Sequence, residues 1–394
     1  MGKRIRISVC YYLNAAEDNW YQEWDEDLAA MKELGCDGID GATPLVESEA
    51  LAQDMLARWG ELMEKYDFLE WRGGVGGREI RGSWYDPQTG DAPEQYTMTD
   101  VWGDTVKGPE DVPGQKEPTF RPAPNIWSAE FRRDVQFPDM EKAIRRLMKC
   151  RRYSGGGYTE LFQFSEPVSY GRSDAARFRE FIRHKYGELH RLSEAWGRTL
   201  GSWNDVEPPR VLTLWTREWQ DWVEARHFWT AQWARETVAF AKSVKPDIKV
   251  WLCDCMWNQS PWGVSNRDMA AVYTDQIAQP FDCFLVEDHF YAEKMTREKI
   301  FKCIENDIGV FRRLCGDKHL AWSGQVMRYG DFKDIDIGDA LSWIEKALEC
   351  GVDEICYYNY RSARKTGGSF DHKKSLCHNR PLARALAALH KRIR

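Results

Sequence analysis

No run of roughly 18 consecutive apolar residues occurs in this chain of 394, so no membrane span is expected. The start, Met1-Gly2-Lys3-Arg4-Ile5-Arg6-Ile7, has neither the apolar core of a signal peptide nor a small-residue cleavage site, and it runs straight into a strand-like segment. A basic excess is missing too. With 55 basic and 62 acidic residues the formal net charge is -7, which argues against nucleic acid as a partner, because phosphates call for clustered positive surface. Cysteine is plentiful, at 11, but metal-ligand spacing is not. Cys253-Asp254-Cys255 has no second pair, and His372, Cys377 and His378 are too loosely spaced. Most thiols (Cys10, Cys253, Cys255, Cys283, Cys356) sit in apolar runs and read as buried side chains in a reducing compartment, so a cytoplasmic location is expected. A phosphate-cradling loop is absent: Gly73-Gly74-Val75-Gly76-Gly77 has no helix after it and reads as a bend. No Ser stands in a nucleophile-elbow pattern.

What the chain does have is aromatic surface: 19 Trp, 16 Tyr and 17 Phe. Many stand beside carboxylates at strand ends, as in Gln163-Phe164-Ser165-Glu166-Pro167. A flat indole covers the C–H face of a pyranose while Asp and Glu take its hydroxyls, so this pairing suits a sugar. Large aromatics also simply fill large cores, and for any single Trp that is the commoner explanation. The sugar reading therefore rests on arrangement rather than on number.

The arrangement is a repeat of apolar run and amphipathic helix. Strand-like segments begin near Arg4, Cys36, Asp67, Tyr158 (YTELFQF), Lys249, Asp282, Lys318 and Val352. Between them the 3.6-residue period predicts helices over 24–34, 50–66, 140–153, 296–314 and 337–350, with a last one over 381–393. Gly35 and Gly351 follow helix ends, where a left-handed cap residue is expected. Eight strand–helix units predict one α/β domain over 1–394, a (β/α)8 TIM barrel, with an open doubly wound sheet as the alternative. Two spacings are long. The insertion over 82–138, after strand 3, is rich in Pro, Gly, Trp and Asp and is expected to wall the site, with short hairpins inside it. The insertion over 200–245, after strand 4, carries Trp215, Trp219, Trp222, Phe228, Trp229 and Trp233 on a helix expected to pack outside the barrel. Apolar surface left uncovered there would make a homo-oligomer.

In such a barrel the C-terminal strand ends build the site. They give Tyr11 and Asn14, Asp40, Trp71 and Arg72, then Glu166, with Gln163 just before it. The later strands give Asp254 and Trp257, then Glu287, Asp288 and His289, then Trp322, Gln325 and Arg328, and finally Tyr358, Asn359 and Arg361. Glu166 is the sharpest of these. Held between aromatic surfaces at the mouth, a carboxyl has its pKa raised by desolvation, as a general acid near neutrality requires. The alternative is a structural pair with Arg72 or Arg172.

Residues 158–260 resemble family 42 of the glycoside hydrolases, whose catalytic barrels are β-galactosidases of clan A. The resemblance runs through Gln163-Phe164-Ser165-Glu166, Ala176-Arg177-Phe178-Arg179-Glu180-Phe181-Ile182, Lys185-Tyr186 and Ala195-Trp196-Gly197. It continues through Trp203, Pro208, Trp219, Asp221-Trp222, Phe228 and Lys245-Pro246-Asp247. It implies that Glu166 is the acid/base. Two positions depart from the family. Ser165 stands where the family has Asn, and Gln325 stands where it has the nucleophilic Glu of the seventh strand. An amide cannot form a glycosyl ester. Gln325 is then an engineered substitution, or the second carboxylate has moved to Glu287 or Asp288, or hydrolysis has been lost.

The expected function is cleavage of a small oligosaccharide or glycoside, with Glu166 as general acid and Glu287 or Asp288 as the second carboxylate. Trp71, Trp257 and Trp322 are expected as sugar platforms, and Tyr11, Asp40, Gln163, Asp254 and Tyr358 as further substrate contacts. Arg72, His289 and Arg328 are expected to hold hydroxyls or an acidic sugar, unless the arginines pair with carboxylates inside the barrel. No metal or organic cofactor is needed. A catalytically silent carbohydrate-binding barrel is the alternative, favoured by Gln325, while an isomerase or lyase would want a metal cluster or a lysine base.

Overall fold

The structure, a computed structural model, describes residues 4–11, 20–41, 49–74, 84–86, 88–110, 119–158, 169–211, 213, 215–255, 275–288, 296–326, 336–361 and 375–394. Eight parallel strands close into a barrel. In chain order they are β1 (Arg6–Tyr11), β2 (Gly38–Asp40), β3 (Glu70–Arg72), β6 (Tyr153–Tyr158), β7 (Lys249–Cys255), β8 (Cys283–Asp288), β9 (His319–Gln325) and β10 (Glu354–Arg361). The last strand pairs with the first, Arg6 opposite Glu354, and this pairing closes the ring. An antiparallel hairpin, β4 (Lys107–Glu110) with β5 (Thr119–Pro122), stands apart in the first insertion.

The helices form an outer layer. They are α1 (Trp20–Leu34), α2 (Glu49–Lys65), α3 (Ala129–Phe131), α4 (Phe137–Leu147), α5 (Arg172–Tyr186), α6 (Leu189–Trp196) and α7 (Arg217–Val244). Beyond these come α8 (Asp275–Ala278), α9 (Arg297–Cys315), α10 (Ile337–Glu349) and α11 (Arg380–Ile393). Side-chain caps fix several starts: Thr216 accepts from Trp219 N, Thr296 from Lys299 N, and Asp336 from Asp339 N. Gly35 and Gly351 have φ of 95° and 84°, as their places after helix ends require.

Two boundaries differ from expectation. The fourth barrel strand, described over Tyr153–Tyr158, starts five residues before the expected Tyr158, and the rest of the expected apolar run lies outside the described residues. The strand's sequence, YSGGGY, hides it, because glycine carries no strand signal. Gly155 is required there: its φ is 132°, and a Cβ would stand 2.1 Å from the Lys249 carbonyl oxygen. The long aromatic helix α7 packs between α4 and α8, so it takes the place of the barrel's own helix between the fourth and fifth strands. The added elements are α5 and α6, which lie on it.

Strand alternation sorts side chains into two layers. Ile7, Val9, Ile39, Val250, Leu252, Val286, Leu320 and Ile355 join the main core between strands and helices. Trp251, Cys253, Cys283, Leu285, Ala321 and Cys356 form a smaller cluster inside the barrel.

Candidate active site

The barrel interior is charged as well as apolar. Arg72 is 2% exposed and lies over Trp251, with its guanidinium carbon 4.4 Å from the ring centroid. Its Nη1 stands 2.8 Å from Glu354 Oε1 and its Nη2 donates to Ser8 Oγ at 2.7 Å. His319 Nε2 lies 2.8 Å from the other Glu354 oxygen, and Ser8 Oγ donates to the first. Burial alone would raise the Glu354 carboxyl; Arg72, His319 and Arg6 outweigh it and hold it well below the usual carboxylate range. At the strand N-termini Arg6 donates to Glu70 at 2.6 Å, and Lys249 donates to the other Glu70 oxygen at 3.4 Å. These bonds form a floor whose positive charges are committed to carboxylates.

Above the floor stand two more acids. Asp40, the last residue of β2, has a side chain 27% exposed and lies 3.8 Å from Arg72 Nη2. Burial pushes its carboxyl up to about 6, against the pull of Arg72 and aided by the charges of Glu287, Glu354 and Glu70. Glu287, half-buried near the end of β8, faces the same interior. The two strands are four steps apart around the eight-stranded ring in either direction, so the two acids meet from opposite walls.

Several expected site residues turn away from this space. Tyr11 is fully buried on the helix side, stacked on Trp59 of α2 at 5.5 Å, and donates to Asp27 of α1 at 2.9 Å. Trp71 is 0% exposed, edge-on to Trp59 and to Tyr153. Trp322 is 1% exposed in the same outer core, its ring so close over Gly324 that a Cβ there would lie 2.5 Å from it. As sugar platforms or contacts these three are corrected: each is out of phase with the inward residues of its own strand. Arg361 reaches α1, where Nη2 donates to Asp27 at 2.7 Å. Arg72 takes the carboxylate-pairing alternative through Glu354, which removes it as an anion site.

Gln325 closes β9 opposite Tyr358, which places its backbone at the C-terminal end of the seventh strand. Asp254 pairs with Val286, and Asp288 with Gly324, at the equivalent ends of β7 and β8. Tyr358 is half-buried and in phase with Glu354 and Cys356. Asn14, Gln163, Glu166, Trp257, His289 and Arg328 lie outside the described residues.

Two polar knots fasten the elements that follow the fourth strand. Thr99 of the first insertion accepts Tyr170 N at its carbonyl, 2.8 Å, while its own N donates to Ser169 Oγ at 3.0 Å. From the same insertion, fully buried Asn125 donates to both oxygens of Asp174 at 3.0 Å, and Arg177 pairs with Asp174 at 2.8 Å. The insertion thus grips the chain three residues beyond position 166. The second knot is Asp221, fully buried, which accepts from Lys185 Nζ at 3.0 Å, Tyr186 OH at 2.7 Å and Trp196 Nε1 at 2.8 Å, with Arg217 at 3.1 Å. The Lys185-Tyr186, Ala195-Trp196-Gly197 and Asp221-Trp222 stretches are therefore tied together by one carboxylate. Sequence spacing alone did not show this.

The family model described as β-galactosidase, Glyco_hydro_42, matches residues 140–386, more than half of the chain. The chain belongs to glycoside hydrolase family 42. No curated protein sequence matches it. Among solved structures of similar fold, the polyextremophilic β-galactosidase of the Antarctic haloarchaeon Halorubrum lacusprofundi superposes with a TM-score of 0.74 at 15% identity, over 99% of this chain and 58% of that one. The β-galactosidase of the psychrophilic Marinomonas ef1 gives 0.68 at 13% identity, over 99% of this chain and 59% of that one. The catalytic domain of a β-amylase from Paenibacillus polymyxa gives 0.64 at 12% identity, over 98% and 99%. This family 42 chain thus spans under two thirds of the length of the two β-galactosidases it resembles.

Proposed function

We propose that this family 42 barrel hydrolyses O-glycosidic bonds of a small oligosaccharide or glycoside, in a β-galactosidase-like manner, as part of carbohydrate metabolism in the cytoplasm. The observation that carries the reading is the family match over 140–386, which includes the fourth-strand exit with Glu166. Glu166 is the general acid. The grip of Thr99 on Ser169 and Tyr170 supports a fixed course for the chain just beyond it. Glu287 or Asp288 of β8 is the second carboxylate, and Asp40, Asp254, Tyr358, Gln163, Trp257, His289 and Arg328 are the remaining substrate contacts. Retention requires two carboxyls about 5 Å apart, whereas roughly 6.5–9.5 Å leaves room for water and inversion, so a partner on the sixth strand favours inversion. The buried free thiols of Cys253, Cys283 and Cys356 suit a reducing compartment.

Gln325 favours a second reading, a barrel that binds carbohydrate without cleaving it. Hydrolysis of a panel of nitrophenyl glycosides by the chain, by Gln325→Glu and by Glu166→Gln separates the two. Turnover by the chain that is lost in Glu166→Gln supports hydrolysis; loss in Glu287→Gln but not in Asp288→Asn then identifies the partner. Turnover gained only in Gln325→Glu marks a replaced nucleophile, and sugar binding without turnover in any variant supports the silent barrel.

A further inference from the structure

We propose that His390 is an acid-operated latch: its neutral imidazole ties helix α11 to the seam where the barrel closes, and a second proton on the ring releases that helix ahead of the rest of the fold. The latch stands apart from the carbohydrate reading, and its test uses no substrate.

The geometry admits one protonation state. His390 is 2% exposed and uses both ring nitrogens. Nδ1 lies 2.6 Å from the carbonyl oxygen of Leu34, the last residue of α1; a carbonyl only accepts, so Nδ1 carries the proton. Nε2 is then the bare nitrogen and accepts from the Tyr357 hydroxyl at 2.6 Å, with the two rings stacked at 5.4 Å. Tyr357 belongs to β10, the strand that closes the ring against β1, so one imidazole joins α11 to the first helix and the last strand. A second proton would set an N–H on Nε2 against the Tyr357 O–H, and fully buried Tyr357 meets no other acceptor among the described residues. The proton would bring both a buried charge and an orphaned hydroxyl. The charges around the ring do not offset this. Arg394, at the end of the same chain segment, opposes the proton; Asp37, just before β2, favours it but is already bonded to Arg394 and Arg4. On the far side of Tyr357 stand the thiols of Cys36 and Cys356, and α10 meets α11 at the surface through Glu345 and Arg392. Burial is the largest influence and holds the imidazole below its ordinary value near 6.5. Once α11 opens, the ring regains that value. The closed form is therefore favoured fully above about 6.5 and loses ground as pH falls from there to the folded value. The other ties of α11 are its apolar face, with Leu382, Leu386 and Leu389 buried, and the arginines at its end, so the helix is the unit that opens.

Amide hydrogen exchange on the full chain tests this at pH 7.5 and pH 5.0, with rates corrected for the intrinsic pH dependence of exchange and α9 as the internal reference. The lower pH stays above the ordinary carboxylate values near 4, so the imidazole is the group that titrates. In the unmodified chain the protection of α11 falls about fivefold or more relative to α9 on going to pH 5.0. In His390→Gln the relative protection of α11 is the same at both pH values. Tyr357→Phe, which leaves Nε2 without its donor and makes the second proton easier to accept, serves should the glutamine variant fail to fold. In it α11 is already less protected at pH 7.5 and loses less at pH 5.0. Parallel losses in α11 and α9, an α11 that does not respond to pH, or a fall of the original size in either folded variant overturns the proposal.

Discussion

Arg72 brings a full charge under the mouth of the barrel, and Glu354 makes it tolerable there. A buried pair adds little net stability, but removing one partner strands the other, at a typical cost of about 3–5 kcal/mol. Arg72→Met should therefore lower the unfolding free energy from denaturant titration by that much, while Arg72→Met with Glu354→Gln should recover part of the loss; a double-variant loss equal to the sum of the Arg72→Met and Glu354→Gln losses would mean the pair is not coupled. Asp40 and Glu354 predict opposite pH dependences of stability. The Glu354 carboxyl is lowered on folding, so its contribution is full above the ordinary value near 4.3 and is lost as pH falls through the folded one. The Asp40 carboxyl is raised, so its contribution is full below about 4 and is lost as pH rises through about 6. Melting curves should accordingly show Asp40→Asn above the unmodified chain at pH 7.5 and level with it near pH 4. At this scale the sequence was only partly legible. Asp40 and Glu287 could be placed at strand ends, but Tyr11, Trp71 and Trp322 fall one residue out of phase with the inward face. A short strand such as Glu70–Arg72 gives too few residues for alternation to reveal its phase.

Among the elements, α7 shows how an aromatic helix was mistaken for an addition. Its apolar residues spread over several faces, because the helix meets α4 and α8 as well as α5 and α6. Trp222 and Trp233 are fully buried, while Trp215, just before the helix, is 93% exposed. Asp221 joins the start of α7 to α5 and α6. Asp221→Ala leaves the half-buried donors of Tyr186 and Trp196 without this acceptor, while Lys185 keeps Glu224, and should cost about 2–3 kcal/mol in equilibrium unfolding. A loss below about 1 kcal/mol would show that the knot is incidental. The start of the fourth strand, at Tyr153 rather than Tyr158, was missed for a different reason: Gly155-Gly156-Gly157 carries no strand signal, and only the pairing with β7 reveals why a Cβ is unwelcome at Gly155. Gly155→Ala should abolish soluble folded protein, judged by expression and circular dichroism; a normal yield would contradict the close approach to Lys249.

For the molecule as a whole, the eightfold recurrence of apolar run and helix was enough to predict closure, because a parallel sheet of eight such units has that architecture available. The register that closes the ring, Arg6 opposite Glu354, joins residues about 350 positions apart and left no local signal. The insertion after the third strand was expected to wall the site; its hydrogen bonds run to Ser169, Tyr170 and Asp174, farther along the chain after the fourth strand. The family match makes this scaffold a glycoside hydrolase barrel, and the proton donor proposed for it is Glu166. A general acid matters most when the departing alcohol is a poor leaving group and least when it leaves unaided. The most direct measurement is therefore the leaving-group dependence of kcat/KM for Glu166→Gln against the unmodified chain, on a series from dinitrophenyl to methyl glycosides. The account predicts a loss of 100-fold to 10,000-fold on the methyl and phenyl members that shrinks to tenfold or less on the dinitrophenyl one. A loss of equal size across the series, or none at all, would contradict it.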